Sequence, residues 1–128
     1  MIPQCLDQSI AVIPWSPLAR GLLAGNRSAS GEKLTTRAKT DAFGDGLYNP
    51  ELDAAVIDQL AEVAATRGLP TAQVALAWLL HQPGVTAPIV GATKLAHLED
   101  ALAAEQLTLG EDEIARLEEP YVPRRVSF

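Results

Sequence analysis

Residues 11–25, AVIPWSPLARGLLAG, stay apolar as far as a proline and then open into a stretch bounded by glycine. A short continuous apolar run ended by turn residues is the pattern of a strand covered on both faces, as in parallel sheets overlaid by helices. Residues 9–13 are therefore predicted as a first strand. Pro14, Pro17, Gly21 and Gly25 hold the following segment out of regular structure and leave backbone N–H groups available to something bound. Ser16 adds a hydroxyl, Arg20 a cation, and the glycines room for close approach, which together suit a phosphate beyond a strand of an α/β fold. The same Trp-Ser-Pro turn with its flanking leucines also describes a packed corner. The residues alone leave both readings open.

Residues 26–48 are polar and keep no sustained period. A segment of that length without regular structure is usually a lid, a binding loop or a solvated stretch. It sets Arg27, Lys33, Arg37 and Lys39 against Glu32, Asp41 and Asp45, a local positive excess in a chain of net charge −6. An anionic ligand and a plain solvated loop both fit that excess.

Asn49-Pro50-Glu51 then opens a helix: Asn accepts from the first unpaired N–H groups, Pro suits the first helical position, and Glu faces the positive end of the dipole. Leu52, Val56, Leu60, Val63 and Ala64 make one apolar stripe, and Gly68 with Pro70 ends the helix near Arg67. Thr71 is predicted to cap a second helix over 72–82, apolar nearly all round and hence buried, with His81 at its end and Pro83-Gly84 stopping it. Residues 85–90 form the second predicted strand, although Pro88 confines it to an edge, an end or a bulge. Thr93 is predicted to cap a helix with Leu95, Leu98, Ala101 and Leu102 on one face. A last helix over 111–118 is pinned by Ile114 and Leu117. Ile2, Cys5 and Leu6 sit at helical spacing at the start of the chain.

Strand, loop, helix, helix, strand, helix, helix is the order of an α/β fold with a parallel sheet. In such a sheet the loops after both strands open at the same, carboxyl, end. In a (β/α)8 barrel, the loops after the last two strands frequently make a phosphate site assisted by a helix N-terminus. Lys94, beside the helix that Thr93 opens, would add a full positive charge there.

At 128 residues the chain is the size of one domain, and its 48% hydrophobic and 20% charged residues describe a globular protein. The negative net charge argues against a nucleic-acid or acidic-membrane partner. No run approaches the roughly 20 apolar residues of a membrane span. The N-terminus, MIPQCLDQ, lacks the basic flank of a secretion signal. The single Cys5 forms no internal disulfide and has no metal-site spacing with His81 or His97, so a reducing, cytoplasmic setting is expected.

The segments PWSPLARGLLAG, RGLPTAQVALAWLL, PIVGATKLAHLEDAL and LEEPYVP, in this order and spacing, closely resemble the carboxyl-terminal portion of aldo-keto reductases, from Met1 to about Pro123. The resemblance implies that residues 1–128 are part of a (β/α)8 barrel of TIM type that reduces aldehydes and ketones with NADPH. The chain would then be a partial barrel: its last two strands with their helices and the C-terminal helix. By the same resemblance the cofactor NADP(H) would be contacted after the seventh strand by Trp15, Ser16, Pro17, Leu18, Ala19 and Arg20. After the eighth, Gly91, Thr93 and Lys94 would surround the adenosine 2′-phosphate. His97 takes the position facing adenine, Asp100 the acidic position three further on, and Ala101 stands where many members have Asn. Arg37, from the long loop, would close over the pyrophosphate.

The family's catalytic Tyr, Lys, Asp and His precede the region of resemblance. Tyr48, Tyr121, Lys33, Lys39, His81 and His97 do not occupy those positions. The expectation is a cofactor-binding piece, truncated before its chemical half, inactive alone and prone to self-association through uncovered sheet edges and helix faces. A non-catalytic nucleotide-binding or interaction module and an inert fragment are the alternatives. A small aldehyde or ketone would be a partner only once the missing part completes the barrel.

Overall fold

The computed structural model describes residues 1–25, 34–35, 39–41 and 47–123, apart from the side chains of residues 50 and 51. Arg27, Glu32, Lys33, Arg37 and Asp45 lie outside the described residues. Among the described residues, the α-helices with both ends in view are, in order, α1 (Ile2–Asp7), α2 (Pro50–Arg67), α3 (Thr71–His81), α4 (Leu95–Glu105) and α5 (Glu111–Glu118). A 3₁₀ turn, Ala19–Ala24, lies between α1 and α2.

The helix boundaries follow local chemistry. The side chain of Asn49 accepts the Leu52 N–H at 3.2 Å, as expected of a cap. At the other end of α2, Gly68 takes φ +64, with Leu69 N–H on the Ala64 carbonyl at 3.0 Å and Gly68 N–H on that of Ala65 at 3.1 Å. That pair of bonds is a Schellman motif. α1 ends the same way, with Ile10 N–H on Cys5 O at 2.8 Å and Ser9 N–H on Leu6 O at 3.3 Å, but the left-handed position is Ser9, φ +54.

The expected caps at Thr71 and Thr93 do not form. The Pro70 carbonyl accepts the Gln73 N–H at 3.1 Å, which makes Pro70 the N-cap and puts Thr71 inside the helix. α4 begins one residue later than expected, on the Lys94 carbonyl, and has no side-chain cap. A capping side chain must belong to the residue whose carbonyl opens the helix. Neither threonine holds that position.

The core lies between α2, α3 and α5. Leu60, Val63 and Ala64 of α2 meet Val74, Ala75 and Ala77 of α3, with Leu109 and Leu117 closing the cluster. Four consecutive residues of α3, Val74 to Ala77, are buried, as its apolar circumference required. Leu18 and Leu23, on either side of the 3₁₀ turn's first residues, pack against this core and anchor the turn to α2 and α3.

The predicted strands over 9–13 and 85–90 contract to two isolated parallel bridges, Val12 with Val85 and Trp15 with Ile89. Among the described residues there is no continuous strand. Val12 donates to the Gly84 carbonyl at 3.2 Å and accepts from Thr86 N–H at 2.9 Å. A regular ladder would next use N–H groups at positions 14 and 88, and both are prolines. Pairing resumes when Ile89 N–H reaches the Pro14 carbonyl at 2.9 Å. Two residues lie between Val12 and Trp15 and three between Val85 and Ile89, so the second segment carries one extra residue, as a bulge does. The direction of pairing is as expected, and its continuity is not. Ser9, expected to start the first strand, instead closes α1.

Candidate functional site

The bridge between Trp15 and Ile89 fixes where the two loops emerge. Because the segments run parallel, Ser16 and Gly91 leave the pairing at the same end, one and two residues past the bridge.

On the first loop, Ser16, Ala19 and Arg20 adopt φ of +54, +48 and +56, followed by Gly21 at +95. Left-handed backbone at a residue with a Cβ costs on the order of 1–3 kcal/mol and collects at functional sites, held there by surrounding structure. Here the holding contacts are Leu18 and Leu23 against the core, with turn bonds from Ala19 N–H to Ser16 O at 2.9 Å and Gly21 N–H to Leu18 O at 2.8 Å. Ala19 and Gly21 therefore spend their amides within the turn, against the expectation that the N–H groups of this loop are unused. Trp15 is 61% exposed. The Leu18 side chain points to the core.

Arg20 is the cation of this loop, and it is engaged. Its Nε donates to Asp41 Oδ2 at 2.5 Å and its Nη2 to Oδ1 at 3.0 Å, a bidentate pair with both side chains largely covered. That hydrogen bonding raises the Arg20 pKa above its ordinary value, against a smaller desolvation effect. Sequence reading gave no hint of this partner, which lies 21 residues on.

On the second loop, Gly91, Thr93, Lys94 and His97 are exposed and Asp100 is half-buried. A Cβ built on Gly91 would meet no atom within 4 Å, so the backbone there is open to close approach. Lys94 is the N-cap of α4, and the first turn of α4 contains no acidic residue. The first turn of α5 holds Glu111, Asp112 and Glu113. A lysine at the positive end of a helix dipole is locally unfavourable until an anion joins it. Open backbone, an uncompensated positive end and a cation suit a phosphate, and the residues present accordingly fit a phosphorylated dinucleotide.

Asp100 is also held. Gln73 of α3 donates through Nε2 to its Oδ1 at 2.8 Å. Among the described residues no three His, Cys, Asp or Glu side chains gather as a metal ion would need. No helix of the described residues is long and apolar enough to cross a membrane.

The family model described as "Aldo/keto reductase family" matches residues 1–121. A versiconal hemiacetal acetate reductase of Aspergillus parasiticus is 43% identical over 98% of this chain and 36% of its own length. The aldo-keto reductase dtxS3 of Metarhizium robertsii is 40% identical over 95% of the chain and 32% of its own. An aldo-keto reductase of Fusarium vanettenii is 39% identical over 98% and 33%. The chain thus spans about a third of the length of these curated relatives.

Proposed function

Because this chain belongs to the aldo/keto reductase family, we propose that it forms the part of an NADP(H)-dependent reductase of aldehydes and ketones that grips the adenosine-phosphate end of the cofactor. The architecture we assign is the last two strands, their helices and the C-terminal helix of a (β/α)8 barrel. The observation that carries the reading is the parallel Trp15–Ile89 bridge, which sends the strained Ser16–Gly21 turn and the Gly91–Lys94 segment out of the same end.

In this reading Lys94 and the Thr93 hydroxyl take the 2′-phosphate, with the open backbone at Gly91 letting it approach. His97 and Asp100, three residues apart on one face of α4, meet the adenine ring. Trp15 lays its indole beside the cofactor, and Ser16, Pro17, Leu18 and Ala19 supply backbone and hydroxyl contacts along it. Arg20 acts as a charge shared with Asp41, and the pyrophosphate contact that the resemblance assigns to Arg37 falls outside the described residues. Bound reduced nicotinamide supplies the hydride that a carbonyl carbon receives. In this reading the general acid for the carbonyl oxygen comes from elsewhere in the barrel, and residues 1–128 alone are assigned cofactor binding without turnover.

The exposed apolar faces favour a second element of the reading. Leu95, Leu98 and Leu102 on α4, and Ile13, Trp15 and Ile89 around the bridges, are 46% to 71% exposed. Such surfaces call for cover, from further barrel elements or from a second copy.

Fluorescence titration with NADPH and NADH tests the site. Lys94→Ala should weaken NADPH about tenfold, the scale of a lost charge-assisted phosphate contact, and leave NADH nearly unchanged. Equal losses for both cofactors would remove Lys94 from the 2′-phosphate. Turnover of a reactive aldehyde by the purified 128-residue chain would overturn the assignment of inactivity.

A further inference from the structure

We propose that Gln73 is a positioning residue for adenine recognition, acting through Asp100; this rests on the reading above, in which Asp100 faces the adenine ring. Gln73 lies in the first turn of α3, directly before the four buried residues Val74 to Ala77, so its backbone is continuous with the core. Its side chain crosses the α3–α4 contact to a carboxylate 27 residues away, Nε2 to Oδ1 at 2.8 Å, at a half-buried site.

The chemistry of the pair is specific. An ionised carboxylate only accepts, so the contacting atom of Gln73 is its amide nitrogen. A planar amide held on one oxygen fixes the rotation of the Asp100 carboxyl group and thereby the direction of the other. Among the described residues, Oδ2 of Asp100 has no protein hydrogen-bond donor. The neutral amide orients the group without cancelling its charge, as a lysine or arginine would. A pre-aimed carboxylate oxygen is complementary to a purine amine: adenine offers its exocyclic NH₂, whereas the hypoxanthine ring carries a carbonyl oxygen in that place. His97, one turn earlier on α4, flanks the same position.

A helix tie of purely structural use would weaken every ligand alike when removed. Titrating the chain with NADPH and with its hypoxanthine counterpart separates the two roles. The expected preference of the unaltered chain is about tenfold for NADPH. Gln73→Ala should reduce it to less than twofold, with affinity for the hypoxanthine dinucleotide unchanged. Gln73→Glu keeps the shape, replaces the donor by an acceptor and should abolish the preference equally, which guards against a fold defect in the alanine variant; circular dichroism confirms the helices of both. A preference lost in Asp100→Ala but kept in both Gln73 variants overturns the positioning role alone. A chain that binds the two dinucleotides equally and is indifferent to Asp100→Ala overturns the adenine assignment and this proposal with it.

Discussion

Arg67, the last residue of α2, donates through Nε to Oε1 of Glu113 at 2.7 Å, while Glu113 Oε2 receives the Gly110 N–H at 2.8 Å. Arg67 Nη2 also reaches Oε2 and, at 3.0 Å, the Thr108 carbonyl. One carboxylate thus closes the N-terminus of α5 and fastens it to the C-terminus of α2.

That arrangement gives stability a defined pH dependence. The Arg67 hydrogen bond, then the Gly110 N–H, holds the Glu113 pKa down at about 2 from 4.5. A carboxylate with a depressed folded-state pKa contributes stability above its unfolded value and loses it as pH falls through the folded one. The contribution is therefore whole above about pH 4.5 and gone near pH 2. Glu113→Gln should lower the melting midpoint by about 2–4 °C at pH 7, a modest figure because the pair is partly exposed and screened. The gap to the unaltered chain should close between pH 4.5 and 2. A gap that persists at pH 2 would mean that the carboxylate's charge is not what matters.

The pattern of what the sequence revealed has a physical basis. Cap and stop signals act over three to five residues, so Asn49 and Gly68 could be read directly, and so could the buried circumference of α3. The segments over 9–13 and 85–90 looked like strands because their apolar content was right, but a ladder also needs N–H groups, and Pro14 and Pro88 withdraw them in facing positions. The links that shape the candidate site, Arg20 to Asp41 and Gln73 to Asp100, join residues 21 and 27 apart with no periodic signal. Such pairings exist only once the chain is folded.

The uncovered face of α4 predicts behaviour in solution. Leu95 and Leu102 are 71% and 60% exposed, on the side of the helix away from the buried Ala104. Light scattering of the isolated chain should show a mass that rises with concentration above the 13.6 kDa monomer. Leu95→Glu combined with Leu102→Glu should return it to the monomer with helix content unchanged, since neither side chain supports the core. Association unaltered by both charges would place the contact elsewhere.

Ser9 is a place where one substitution should improve the protein. It occupies the left-handed position of the Schellman motif that closes α1, φ +54, where Gly68 serves the same purpose after α2 at φ +64. A Cβ in that conformation costs about 1–2 kcal/mol, and the greater entropy that glycine loses on folding returns part of the gain. Ser9→Gly should therefore stabilise by about 0.5–1 kcal/mol, read as a higher urea midpoint with an unchanged slope. Gly68→Ala should act in the opposite sense by a similar amount, because no atom lies within 4 Å of the added Cβ and conformational strain is its only cost. If Ser9→Gly instead destabilises, the serine side chain contributes to this end of α1 more than its strained backbone takes away.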